Sequence, residues 1–338
     1  MPRLTPEEED GRTTERHPSQ LRSAPMDGIV RDASRDDQRE AALAQALFVT
    51  FLWSTSWVLI KVGLHGLALA PLTFAGLRYT IAAVLLLPFA YRGLRRARPD
   101  RRAWASVAIL GLLFYAVTQG AQFIALDLLP ATAVSLVLTM SPVAILLMLA
   151  VRGDERAMPL QLVGIFVLVV GALLYFLPLT LGTSAALGLL VAATGMLANA
   201  GSAVLGRVVA RGATERLGGI VPMTALSMLL GGVVMLGAGV ATSGVPAFDS
   251  SAWTIVLWLA VVNTAFAFTL WNHTLRTLTA IESNVMNNTM LIQIALLAWI
   301  FLGESLNGRQ LLGIALATSG VALVQLAPLI LRRTSPAL

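Results

Sequence analysis

Ten stretches of roughly 20 mainly apolar residues recur along this chain, and nothing else in the sequence restricts its fold as much. Hydrocarbon offers no partner to a backbone N–H or C=O, so runs of this length cross it as helices. They fall at 44–65, 71–91, 104–125, 130–151, 158–178, 184–206, 218–241, 252–274, 280–302 and 308–330, here helices 1 to 10. With 57% of residues apolar and 12% charged, most of the chain cannot face water. The expected class is all-α, a polytopic membrane protein embedded in the lipid bilayer. Residues 1–40 differ: they carry seven of the Lys/Arg and ten of the Asp/Glu, with no apolar run, and read as a disordered cytoplasmic tail. Residues 332–338 read as a second tail. No signal-peptide pattern opens the chain, and Met26 is an alternative start.

The formal charge of +6 raises the question of a nucleic-acid partner, which the placement of the basic residues answers. They lie in short loops between spans, as in Arg92, Arg95, Arg96, Arg98, Arg101 and Arg102, where they set topology and meet lipid headgroups. No nucleic-acid partner is expected. With the N-terminus inside, the cytoplasmic loops and C-terminal tail hold fourteen Lys/Arg and the opposite loops only Arg309. Both termini are therefore expected in the cytoplasm, and the chain in the inner (plasma) membrane. The absence of cysteine excludes disulfides and Cys-ligated metals, and neither cofactor nor metal is expected.

A shift of 149 residues lays the second half on the first: Glu155 on Glu304, Gln161 on Gln310, Gly164 on Gly313, Gly171 on Gly320. An internal duplication follows, with residues 41–180 and 181–331 as its two copies. Each copy holds five spans, an odd number, so the second must lie upside down in the membrane. Inverted repeats support two near-equivalent packings, one open to each side.

The strings LWSTSWVLIKVGL, GLRYTIAAVLLLPF, LPATAVSLVLTMSPVAILLMLAVRGDE and QLVGIFVLVVGALL in the first half, with LWNHTL and FLGESLNGRQLLGIALATSGVAL in the second, resemble the EamA family of the drug/metabolite transporter superfamily. The resemblance covers about residues 44–330. It implies ten helices, a central cavity and, usually, export of amino acids or other metabolites. The sequence departs from the family pattern at helix 9, where Leu291 stands opposite Pro142 of helix 4, so helix 9 is expected to be the straighter.

Ionisable groups inside spans cost about 2.5–3.5 kcal/mol each at mid-helix and are expected to face the interior. Lys61 and Arg78 read either as a cationic pair for a carboxylate or phosphate, or as snorkelling and helix-packing groups. Trp53, Trp57 and Lys61 share one face of helix 1, either lining a cavity, with Lys61 over Trp57, or packing on a neighbour. Tyr115, Thr118, Gln119 and Gln122 share a face of helix 3. Ser135 and Thr139 of helix 4 correspond to Asn284 and Asn288 of helix 9, and Asn263, Trp271 and Asn272 add polar or aromatic positions on helix 8. These either converge on a small-molecule site near the bilayer centre or bond between helices. Glu282 reads as a helix-end carboxylate or a proton-coupling group. Glu155 and Glu304, before helices 5 and 10, read as capping residues.

No HExxH, GxSxG or metal-binding Asp-rich motif supports an intramembrane enzyme, and no selectivity-filter string supports a channel. The expected function is secondary transport, as an exporter of a small metabolite or drug-like amphiphile by alternating access. A channel-like facilitator stands as the alternative.

Overall fold

The computed structural model describes residues 24–152, 158–177, 182–209, 212–275 and 277–334. Contacts divide the chain at Ala41 into a short N-terminal unit and a unit of residues 42–338. Ten helices of membrane-crossing length and hydropathy are present among the described residues. They are α1 (Gln38–Gly66), α2 (Pro71–Arg96), α3 (Arg101–Leu128), α4 (Ala131–Val151), α5 (Pro159–Phe176), α6 (Thr183–Gly206) and α7 (Ile220–Ser243), then α8 (Ser250–Thr274), α9 (Ala280–Leu302) and α10 (Gly308–Thr334). The helix that becomes α1 begins at Ala24, within residues read from composition as a disordered tail. Extending an existing helix needs no new nucleus, and 29–41 contain neither Gly nor Pro.

Helix starts follow local chemistry and repeat at the 149-residue offset. Asp100 and Asp249 cap α3 and α8 by accepting the N–H of Ala103 and Ala252 at 2.9 and 2.8 Å. The Ala103 bond, with the Arg216 guanidinium beside it, holds the Asp100 carboxyl below the usual carboxylate range. Gln161 and Gln310 are the third residues of α5 and α10, and each side chain accepts the N–H three residues before it, from Met158 at 2.9 Å and Asn307 at 3.0 Å.

The two most extensive helix pairs are α2 with α7 and α5 with α10, each a helix and its own counterpart. A Cβ at Gly171 would meet Ala317 and Gly313, and one at Gly320 would meet Leu168 and Gly164, the same two repeat positions with the halves exchanged. On α2 and α7, Gly76 faces Leu236, Thr80 faces Gly232 and Thr73 faces Gly239. Partner numbers fall as residue numbers rise, so both pairs run antiparallel. Both are centred near mid-helix, between Ile81 and Ala82 on α2 and between Leu168 and Val169 on α5.

Two further features bear on the site. α3 and α8 each contain a π-helical stretch, Gly111–Gln119 and Val261–Phe266, and the offset places the second inside the first. α4 is interrupted at Met140, two residues before Pro142, which lacks an N–H, whereas α9 runs unbroken. Ring contacts and apolar packing gather the α1 and α8 residues Val49, Leu52, Ala267 and Trp271 into a cluster apart from the main core.

Candidate functional site

Arg78 lies on α2 about three and a half residues, roughly 5 Å, from the centre of the α2–α7 crossing. It is 5% exposed. Its Nε donates to Thr264 Oγ1 on α8 at 2.9 Å, and its guanidinium sits 5.1 Å from the centre of the Tyr79 ring. Thr264 is free to accept because its own hydroxyl donates five residues back, to Leu259 O at 2.8 Å. The wide π turn makes that reach possible. Tyr79 continues the network, its hydroxyl donating to Gln119 Oε1 on α3 at 2.7 Å and its ring meeting Tyr115 at 5.7 Å. Among the described residues the Arg78 Nη groups find no acceptor, and no carboxylate pairs with them.

The same π turn points Asn263 toward α1, where its Nδ2 donates to Leu52 O and to Thr55 Oγ1, the latter at 3.0 Å. Beside it the Trp53 ring meets those of Phe268 and Trp271 in tilted contacts, with centres 5.3 and 5.2 Å apart. Asn263 Oδ1 and Trp53 Nε1 are buried and, among the described residues, have no partner. Such atoms cost free energy unless a ligand or water satisfies them.

The structure thus gathers Arg78, Tyr115 and Gln119 into one network, and Trp53 with Trp271 into one aromatic contact. Trp57 is buried in the main core, and Gln122 is half-buried on α3. The other expected positions disperse. Lys61 does not stack on Trp57; its Nζ lies 3.1 Å from His65 Nε2, one turn further along α1. Lys61 and Arg78 therefore have separate partners. Lys61 lines a cavity of about 620 Å³ at that end of the bundle, with His65, Asp127, Pro130 and Glu304. Asn272 lines another of about 400 Å³ with His273 and Thr224.

Ser135 and Thr139 donate to carbonyls of their own helix, Thr132 O and Ser135 O, both at 2.8 Å. Asn288 donates to Gln325 Oε1 on α10 at 2.7 Å, the interhelical alternative. Glu282 accepts the N–H and the hydroxyl of Thr279, both at 2.9 Å, the contacts of a helix-end cap. The Asn284 side chain and Glu155 lie outside the described residues.

Sequence reasoning missed Tyr79, Thr264 and a polar group joining α1 to α9. There Gln293 Oε1 accepts from Ser54 at 2.9 Å while its Nε2 donates to Thr50 at 3.3 Å and Thr289 at 3.1 Å. Its signal was Gln293 itself, the one amide in the otherwise apolar stretch 290–302 of helix 9.

A family model described as "EamA-like transporter family" matches residues 41–177 and 186–326, two copies that cover most of the chain. The chain belongs to the EamA-like transporter family. Its relatives include "Uncharacterized transporter YvbV" of Bacillus subtilis, 28% identical over 82% of this chain and 89% of that protein. A "Probable amino-acid metabolite efflux pump" of Salmonella typhimurium is 28% identical over 82% of this chain and 92% of its own length. An "Uncharacterized transporter" of Archaeoglobus fulgidus is 31% identical, over 36% of this chain and 41% of that protein. A crystal structure 21% identical in sequence covers 88% of this chain and 99% of its own with a TM-score of 0.60, a likeness of fold. As an EamA-like protein the chain is a multi-pass membrane protein, and the family and relatives' names point to transport rather than enzymatic turnover.

Proposed function

We propose that this protein is a secondary transporter that exports a small metabolite bearing an acidic group, with Arg78 holding that group near the bilayer centre. The observation that carries the reading is a buried guanidinium with one of its five N–H donors engaged and no acid beside it among the described residues. An uncompensated cation at mid-membrane is costly, and a carboxylate or phosphate from the substrate would relieve that cost while using the open fork. Tyr79, Gln119 and Thr264 hold the fork in place. Trp53 and Trp271, with Asn263 Oδ1, which has no partner among the described residues, offer an apolar wall and a polar contact to the rest of the molecule.

In this reading the halves are inverted copies that work by alternating access. The antiparallel self-pairing of α2 with α7 and of α5 with α10, centred at mid-helix, supports an axis lying in the membrane plane. The fourteen-to-one loop charge count supports cytoplasmic termini in the inner membrane, with Lys61 on the far side. Export is favoured by a relative named for metabolite efflux.

Counterflow in proteoliposomes tests the proposal. Vesicles loaded with unlabelled acidic or zwitterionic metabolites should accumulate labelled compound, and Arg78→Gln should reduce that flux with the amount of folded protein unchanged. Counterflow as strong with Arg78→Gln as with the native chain would overturn the assignment.

A further inference from the structure

We infer that Glu304 is a positioning residue of the transport cycle, a latch by which the second half of the chain closes the Lys61 end of the bundle onto α4 of the first half; this rests on the alternating-access reading above. α4 starts at Ala131 behind Pro130, whose side chain has nothing with which to cap a helix. The first N–H groups of a helix need partners from elsewhere. Glu304 supplies them across 173 residues of sequence: its Oε1 accepts the Ala131 N–H at 2.6 Å. Its Oε2 accepts the Thr132 N–H at 3.2 Å and the Thr132 hydroxyl at 3.0 Å. A carboxylate at a helix N-terminus is also favoured by the helix dipole.

The contact is not a by-product of capping α10. That helix is closed by its own Asn307 and Gln310, which exchange bonds of 2.9 and 3.0 Å, so Glu304 is free for another task. Gly303, in the left-handed region at φ 67°, ends α9 and turns the chain so that Glu304 follows at the mouth of the 620 Å³ cavity. Lys61, His65 and Asp127 share that cavity.

What the latch holds is a separable piece. Ala131–Thr139 is joined to the rest of α4 at Met140, and residues 131 to 137 are all buried. Its far end is the joint and its near end is Glu304. Breaking these three hydrogen bonds, together with the packing of its buried residues, would let this nine-residue piece leave the α9–α10 connection without unwinding.

The chain has no cysteine, so one can be placed at will. Val134→Cys puts a thiol at a fully buried position of the piece. A membrane-impermeant maleimide is applied in turn to each face of sealed vesicles, with native Glu304, Glu304→Ala or Glu304→Gln. Glu304→Ala should raise the labelling rate at least tenfold from the Lys61 face alone, with Glu304→Gln intermediate. Asn307→Ala, which removes the α10 cap, should leave the rate unchanged. If Glu304→Ala does not fold, Thr132→Val, which removes one of the three bonds, should give a smaller rise from the same face. A lowered melting temperature with unchanged labelling, or labelling raised equally from both faces, would make Glu304 a structural cap and overturn the latch. No substrate enters the assay, so its failure leaves Arg78 and its ligand untouched.

Discussion

Gly171 and Gly320 occupy one environment twice, and that equivalence makes a quantitative demand. A Cβ at Gly171 would fall against Ala317 N and Gly313 O; one at Gly320 would fall against Leu168 N and Gly164 O, the same atoms moved by the 149-residue offset. In both places the obstacle is backbone, which has no rotamer to change, so α5 and α10 must separate. Overpacking of this kind costs about 1–3 kcal/mol, and Gly171→Ala and Gly320→Ala should cost the same. The two sites lie about five residues apart along the interface, roughly 7.5 Å. Since one added methyl already parts two stiff helices, the double variant should cost less than the sum of the single ones, a departure from additivity measured by the double-mutant cycle. Gly201→Ala and Gly237→Ala, where a Cβ would meet nothing within 4 Å, serve as controls. They should be neutral or stabilising by up to about 1 kcal/mol through helix propensity. Reversible unfolding of the purified protein in mixed micelles provides the free energies. Costs below about 0.5 kcal/mol at Gly171 and Gly320, or a large cost at only one of them, would refute the symmetric close packing.

Gln293→Leu should lower stability by about 0.6–2 kcal/mol, since it removes bonds that join α1 to α9, and should leave affinity for an acidic ligand unchanged; melting and binding on one preparation check both. Asp249→Ala removes the α8 cap and should cost about 1 kcal/mol in the same unfolding assay. Asp100→Ala should melt below the native chain at neutral pH. Because the folded state holds that carboxyl below its usual range, the stabilisation is present above the unfolded-state value and is lost as pH falls through the folded one. The gap in melting temperature should therefore narrow as pH falls into the acid range, and a gap that stays constant throughout the acid titration would contradict the cap's ionisation.

The spans were readable because hydrocarbon thickness sets a length that composition alone can meet. Observed helices such as α4 at Ala131–Val151 and α9 at Ala280–Leu302 fall within a residue of the apolar runs. The repeat was readable through Gln161 and Gln310, although their shared task, accepting the N–H three residues back, needed coordinates to be seen. Arg78 was marked by its cost in a membrane. Its partner was not, because Thr264 is 186 residues away and turned inward by a π stretch with no sequence signature. Glu304 shows a second limit: position before helix 10 suggested a cap for that helix, but distance along the chain does not say which N-terminus a carboxylate meets. Ser135 and Thr139 show a third limit: a hydroxyl in a helix can bond to a carbonyl three or four residues back, and its position in sequence does not say whether it does.

The central claim is that Arg78 binds the acidic group of the transported molecule, and ligand affinity of the purified protein tests it most directly. Titration calorimetry with glutamate, phenylalanine, inorganic phosphate and the cation tetraphenylphosphonium should show binding by one or more of the compounds that carry an anionic group and none by the cation. Arg78→Gln should weaken that binding by about 1.5–3 kcal/mol, the worth of a hydrogen bond to a charged group, or between roughly 10- and 150-fold. Lys61→Gln, whose ammonium lies with His65 at the end of α1, should change it far less. Binding of the cation alone, or anion affinity that survives in folded Arg78→Gln, would contradict the account.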